Sequence, residues 1–317
     1  MGRPFLLYLL VMHTPLVSIV LATYNGAPFL KAQMDSLIAQ TYPALEIVVV
    51  DDCSIDATVD IIKSYQHKHA HIKLYQNTSR LGHIKNFEKG MGLASGEYIA
   101  LCDQDDIWLP SKIEKKMAII GDCDMAYCDS EFIDEQGRSL GRNLSDIKNL
   151  RGYADCLAFA IGNSVSGHAS VFNRRILERA LPLPDYVIHD WWLTFNAVQY
   201  HQVRFTPEVL VQYRQHSRNY IGAIDVKNRK KSRDAKALRA RNIRSRMKAF
   251  SAACVAENAE EKAVLEQLAA SYRGFSLGNN YRRMMIFFRY KNRLLAIKKR
   301  PPVRKWLFCL KMFLNII

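Results

Sequence analysis

The chain has 317 residues, 49% hydrophobic and 24% charged, an ordinary globular composition with ample length for a real core in one large domain or two. Its formal charge of +15 is lopsided: residues 1–226 carry 21 Lys+Arg against 25 Asp+Glu, while residues 227–317 carry 24 against five. The excess belongs to the C-terminal stretch, and a chain-wide nucleic-acid-binding surface is not expected.

At the N-terminus, "MGRPFLLYLLVM" imitates a signal peptide, but no small-residue cleavage site follows. The expectation for residues 1–14 is a short interfacial or disordered extension. "LVSIVLA" (16–22) is a continuous β-branched run, as in a parallel strand buried on both faces. A turn, "TYNGAP", leads to "FLKAQMDSLIAQT", an amphipathic helix with Leu30, Met34, Leu37 and Ile38 on one side. "LEIVVVDD" (45–52) is a second strand, and "SIDATVDIIKSYQ" a helix with Ser54 or Asp56 as N-cap. "IKLYQN", "GHIKNFEKGMGLA" and "EYIALCD" continue as strand, helix and strand; "SKIEKKMAII" is helical and "DMAYCDSEFID" a strand pair or hairpin. Beyond residue 150 the pattern loosens, with "GHASVFNRRIL" reading as strand then helix, "HDWWLTFNAVQ" (189–199) as helix and "VRFTPEVLVQYRQHS" (203–217) as strands.

Strand–helix alternation at this spacing predicts an α/β domain around a mostly parallel sheet, whose ligand crevice lies beyond the carboxyl ends of the strands. Those ends are "ATYN", "DD" and "CDQDD", so three polar clusters open onto one edge. Any single acid there is explained as a helix cap or turn former. Asp51–Asp52 together with Asp103, Asp105 and Asp106 is explained better as an oxygen donor set for a hard cation such as Mg²⁺ or Mn²⁺. Seven cysteines include no CxxC pair and no zinc spacing, which suits a reducing cytoplasm. No run of roughly 18–20 apolar residues predicts a membrane span.

Residues 15–220 resemble the family 2 glycosyltransferases, nucleotide-sugar-dependent enzymes of the GT-A fold. The resemblance rests on "VSIVLATYNG" (17–26), "EIVVVDDCSIDAT" (46–58), "RLGHIKNFEKGMGLASGEYIALCDQDDIW" (80–108), "HDWW" (189–192) and "YRQHSRNYIG" (213–222). The last two motifs with "CDQDDIW" look most like the rhamnosyltransferase branch of bacterial polysaccharide assembly. The resemblance implies that Thr23, Tyr24 and Asn25 line a nucleotide pocket and that Asp52 accepts from a uracil or thymine ring N–H, with Asp51 assisting or closing the strand. Arg80, Lys85 and Asn86 occupy a stretch that in relatives faces the nucleotide-sugar. Asp103 and Asp105 correspond to the D-x-D, Asp105 as the firmer metal ligand and Asp103 towards ribose or metal; Asp106 is an extra acid or the cap of the next turn. His216 falls on a late polar loop near diphosphate and metal.

Asp190 matches the family's catalytic base, which takes a proton from the acceptor hydroxyl in an inverting transfer. Relatives often carry Glu before this Asp; here His189 precedes it, either orienting Asp190 or beginning the helix. Trp191 and Trp192 would stack on sugar faces or pack in the core, and Gly162, Asn163 and His168 are expected on the acceptor side.

The expected organisation is therefore an N-terminal extension (1–14), a GT-A catalytic domain (15–225) and a basic helical tail (226–317). The tail, ending in "WLFCLKMFLNII", suits an anionic membrane surface better than nucleic acid, or else packs on the catalytic domain. The expected reaction moves a sugar, rhamnose or a hexose, from a UDP- or dTDP-sugar to a glycan or lipid-linked acceptor, in the cytoplasm on the inner face of the cell membrane. A nucleotidyltransferase would carry a Gly-rich basic phosphate loop that "ATYNGAP" lacks; a non-catalytic glycan- or membrane-binding scaffold would have lost the D-x-D or the base, and both are present.

Overall fold

The computed structural model describes residues 14–216 and 233–314, so the N-terminal extension up to residue 13 and the expected boundary near residue 225 lie outside the described residues. β1 (Val17–Thr23), α1 (Ala27–Ile38), β2 (Leu45–Asp51), α2 (Thr58–Gln66), β3 (Ile72–Gln76), α3 (His83–Leu93) and β4 (Tyr98–Cys102) alternate as the apolar periodicity predicts. β5 (Ile107–Trp108), α4 (Lys112–Ile120), β6 (Met125–Ile133), β7 (Ser139–Asn143) and the single turn α5 (Leu144–Ile147) follow. Then come β8 (Ser170–Asn173), the turn α6 (Leu177–Ala180), α7 (His189–Ala197) and β9 (Val203–Arg214). The C-terminal region is helical: α8 (Arg233–Ala253), α9 (Ala259–Ser271), α10 (Leu277–Arg289), α11 (Lys291–Leu294) and α12 (Pro302–Leu314).

All nine strands join one sheet in the order β3-β2-β1-β4-β8-β6-β9-β5, with β7 paired to β6. The first four are mutually parallel, β8 runs antiparallel to β4 and β6, and β9 is parallel to β6. Alternation along β1 explains the layering. Val17, Ile19 and Leu21 face one core with Leu30, Met34 and Leu37 of α1, whereas Val20 faces a second core with Phe87 and Met91 of α3. Gly90 lets α3 approach that closely: a Cβ there would stand 2.4 Å from Val20 Cγ1.

Three local readings change. "DMAYCDSEFID" is a single strand whose hairpin partner β7 follows a turn at Asp134–Arg138. "VRFTPEVLVQYR" is one strand, and its register against β6 shifts around Asp129, opposite Pro207, which has no N–H to offer the ladder. Neither Ser54 nor Asp56 is the N-cap of α2. The helix starts at Thr58, with Asp56 accepting from the Thr58 backbone N–H at 3.0 Å, while Ser54 turns toward Asp51.

The C-terminal helices share a core with the sheet. Met247, Phe250, Leu265, Phe287 and Met312 lie in the same apolar cluster as Val20 and Phe172, and Phe250 stacks on Phe195 of α7 with ring centroids 4.3 Å apart. Replacing Phe250 by Ala is expected to lower stability by about 3–5 kcal/mol, the usual loss for a fully buried Phe. Urea unfolding should show that loss in a single cooperative transition; a shift confined to a separate transition of the helices would contradict the shared core.

Candidate active site

The carboxyl ends of β1, β2 and β4 open into a cavity of about 1010 Å³, the crevice position for a sheet of this kind. Asn25, which lines it, and Cys53, which follows the cavity-lining Asp52, have positive φ values of 48° and 65°, conformations that non-glycine residues adopt at a cost. They are held there by cross-links between loops. Ser54 Oγ accepts from Asn25 N–H at 2.9 Å, and Asn25 Oδ1 accepts from Ile55 N–H at 2.9 Å.

Thr23 and Asp51 serve this scaffold, since the Thr23 hydroxyl donates to Asp51 (2.9 Å), which also accepts from the Ser54 N–H (2.9 Å) and hydroxyl (2.5 Å). Asp52 is buried at the cavity wall and gathers the Asn77 amide (2.9 Å) and the backbone N–H groups of Leu81 (2.7 Å) and Gly82 (2.8 Å). Of its two oxygens, Oδ2 carries a single bond and keeps the greater capacity to accept another. Tyr24 lines the cavity with the Arg80 guanidinium 4.0 Å from its ring centroid. Asn86 also reaches the cavity, donating to Val50 O at 2.8 Å. Lys85 does not line it. Its ammonium is spent on Glu88 (2.9 Å) and Leu183 O (2.9 Å), pinning the loop before α7.

Around "DQDD" the acids are sorted by their partners. Asp105 faces His216, whose Nε2 lies 2.8 Å away and whose ring stacks on Phe29. Asp103 is half-exposed to the cavity. Asp106 is fully buried and accepts from Arg214 N–H at 3.0 Å, with Oδ2 lacking a hydrogen-bond partner among the described residues. Its role is not that of a simple turn cap: together with Asp103 and His168 it brings one ligand atom each to within 4.8 Å of one another. Burial, then the charges of Asp105 and Asp103, push Asp106 well above the usual carboxylate range. Enclosure acts the same way on Asp103, but the hydrogen bond and charge of His168, with His189 and His83 beyond, outweigh it and hold Asp103 below that range.

The orphaned buried oxygen of Asp106, the Asp103 carboxylate and the His168 imidazole form a hard oxygen-and-nitrogen donor set that fits Mg²⁺ or Mn²⁺, with Asp105 on the same loop and paired to His216. His168 also lines the cavity: its ring is buried, bonded to the Ser130 hydroxyl at 3.1 Å and tilted against Tyr213, beside Asp103 and Asp106.

Across the cavity, Asp190 lies in the first turn of α7 and accepts from Gly167 N–H at 3.2 Å. His189 is buried against Phe87, and that burial depresses its pKa, so it is a neutral spacer at the helix start. Trp191 borders the cavity, donating to Phe159 O at 2.6 Å beneath Arg246, whereas Trp192 is core, donating to Ala180 O at 2.8 Å. Asn163 borders the cavity too, and Gly162 backs onto Ile297 and Lys298.

Three residues are missing from the sequence reading. Gln104 bonds both backbone groups of Tyr24, N–H at 2.8 Å and C=O at 3.1 Å, and so locks the D-x-D loop to the end of β1. Its place between the two acids was the available signal. Lys148 reaches the cavity beside Asp190 from a turn 42 positions away, with no local motif to announce it. Burial pulls it below the usual lysine range; Asp190 opposes that pull and Lys298 adds to it. His83 faces His189 across the wall, ring centroids 5.8 Å apart.

The description "Glycosyl transferase family 2" matches residues 18–181, half of the chain. An uncharacterized glycosyltransferase of Rickettsia typhi is 32% identical over 211 residues, covering 64% of this chain and 65% of its own length. The chain thus spans just under two thirds, or less, of the curated relatives it matches first. Among solved structures, residues 1–349 of TarS from S. aureus, in complex with UDP-GlcNAc, superpose with a TM-score of 0.60 at 17% identity, covering 95% of this chain and 81% of that one. The mannosyltransferase PcManGT of Pyrobaculum calidifontis, in complex with GDP-Man and Mn²⁺, gives 0.52 at 18% identity over 96% and 86%. Both are similar in fold.

His83 is held down to about 4 by burial and by His189, against the pull of Asp103 and Asp190. The unfolded chain takes up that proton near pH 6.5 and the folded chain near 4, so the stability gained is complete above about pH 6.5 and lost as pH falls through 4. Chemical denaturation across that window should show stability rising with pH, with a shallower rise in His83→Gln. An unchanged slope in the variant would remove His83 as the cause.

Proposed function

This chain belongs to glycosyl transferase family 2, and on that footing we propose that it is a metal-dependent, inverting glycosyltransferase. Its donor is a UDP- or dTDP-sugar, carrying rhamnose or a hexose, and its acceptor a hydroxyl of a glycan, free or lipid-linked, in cell-surface polysaccharide synthesis. The work takes place in the cytoplasm on the inner face of the cell membrane. The observation that carries the reading is the meeting, in one cavity, of the D-x-D carboxylates from β4 and Asp190 from α7.

Tyr24, Asn25, Asp52 and Arg80 seat the nucleotide, with Thr23 and Asn86 shaping the floor and Asp51 bracing Thr23 from behind. Asp103, Asp105 and His216 would hold the divalent cation, with Asp106 and His168 behind them. A bound Mg²⁺ or Mn²⁺ supplies positive charge for the diphosphate oxygens. Asp190, oriented by the Gly167 N–H, takes the proton of the acceptor hydroxyl as that oxygen bonds to the anomeric carbon and the bond to the diphosphate breaks on the opposite face. Trp191 offers its exposed edge to a sugar ring.

Asp190→Asn keeps the shape and the Gly167 contact but removes the base. Transfer, followed as nucleoside diphosphate release with acceptor, should fall by about 10²–10⁴-fold while nucleotide binding is retained. Full turnover in that variant would remove Asp190 from the mechanism, and release of pyrophosphate instead would point to a nucleotidyltransferase. Chelation should abolish turnover and added Mn²⁺ restore it; turnover that survives exhaustive chelation would exclude the cation's role.

A further inference from the structure

α10 and α12 form an antiparallel hairpin, tied at one end by Asn280 Nδ2 donating to Phe313 O at 3.2 Å and at the other by the Phe288 and Trp306 rings, 5.6 Å between centroids. Their inner faces, with Ile286, Phe287, Cys309 and Met312, close onto the core. Their outer faces are apolar as well. On α10, Leu277, Tyr281 and Met285 recur at every fourth residue and are exposed. On α12, Val303, Leu307 and Leu314 share a face at i, i+4 and i+11, exposed by 69%, 53% and 71%. A soluble surface does not leave two adjacent apolar stripes uncovered without reason.

The charge beside the stripes identifies what covers them. Residues 267–317 contain twelve Lys+Arg and no Asp or Glu. Arg282 and Arg289 flank the α10 stripe and Arg304 and Lys311 the α12 stripe, all four exposed. A second copy of this chain pairing through the same face would set one cationic hairpin against another. A lipid surface with anionic headgroups accepts both the apolar stripe and its cationic border.

We propose that the outer face of the α10–α12 hairpin is a seat for an anionic lipid bilayer. The helices lie in the interface rather than through it: no helix among the described residues is long and apolar enough to cross a membrane. The seat is rigidly joined to the cavity. Between α11 and α12, Lys298 forms a bridge with Lys148, Asn149 donates to Ala296 O at 2.7 Å, and Lys299 donates to Ser145 O at 2.8 Å. Docking therefore brings the Ile147–Lys148 wall of the cavity toward the membrane surface, where lipid-linked acceptors are found; this last step rests on the glycosyl-transfer reading.

Flotation of the full chain with vesicles tests the seat. The wild type should float with phosphatidylglycerol-containing vesicles, not with phosphatidylcholine alone, and lose binding as salt is raised. Leu307→Asp with Leu314→Asp should lower partitioning by at least about tenfold, and Arg304→Glu with Lys311→Glu should lower it too. Both variants should keep the wild-type unfolding midpoint and nucleotide affinity, since neither pair touches core or cavity. Absence of flotation, undiminished flotation of the aspartate variant, or a wild-type dimer that this variant dissolves would each overturn the proposal. Nucleotide binding, measured in the same samples, reports separately on the glycosyl-transfer reading.

Discussion

The fold is organised around keeping three carboxylates together at the end of β4. Asp103, Asp105 and Asp106 repel one another, and Asp106 has also been taken wholly out of water. Isolated, such a cluster would protonate or open. It persists because distant parts of the chain converge on it. β9 delivers the Arg214 backbone N–H to Asp106 and the Arg214 guanidinium to Asp105 O (2.8 Å), and it ends where His216 meets Asp105. The turn before β8 delivers His168, itself fastened from below by Lys112 of α4, whose ammonium donates to His168 O at 2.5 Å. The antiparallel half of the sheet is thus the counter-charge apparatus of the parallel half.

Lys112 and Lys116 show how far this reaches. Both ammonium groups are buried and both lysines titrate below their usual range, chiefly through burial. They lie against Trp108 and donate to the carbonyls of His168 and Ala169. Buried cations are costly unless paired or hydrogen-bonded. These two are bonded to the very segment that presents His168 to the acids and the Gly167 N–H to Asp190. One loop therefore sets the positions of both the carboxylate cluster and Asp190.

The parallel half was legible in the sequence because its signals are local: β-branched runs buried on both faces, amphipathic helices of ordinary length, and acids at strand ends. The shape of the seat was not. Nothing near "CDQDD" says that Asp106 turns inward, that Gln104 reaches back to Tyr24, or that His168 lies beside the acids. Those depend on β8 and β9, which are 60 to more than 100 residues away and whose register is bent at Pro207. Lys85 illustrates the converse. It sits within a motif-bearing stretch, yet a single residue step along α3, about 100° of rotation, separates inward Asn86 from a lysine that serves Leu183.

The basic tail divides in a way that composition alone could not show. From sequence, 24 cations and five anions over residues 227–317 suit an anionic membrane surface or a helical face packed on the catalytic domain. In the fold, some of those cations are structural: Arg283 is fully buried, donating to Ser271 O and, at 3.1 Å, to Gly274 O, and Arg293 binds Asp155, Glu260 and Glu261. Among the described residues, exposed cations stand on α8 (Arg239, Arg241, Arg244 and Lys248) and also on the α10–α12 face, where they lie beside exposed apolar side chains. Because the inner sides of α10 and α12 share the core of α7, the helix that carries Asp190, the outer face cannot swing relative to Asp190 without breaking that core. A surface joined to the cavity through a shared core keeps a fixed distance and angle to Asp190, which a flexible cationic tether could not do.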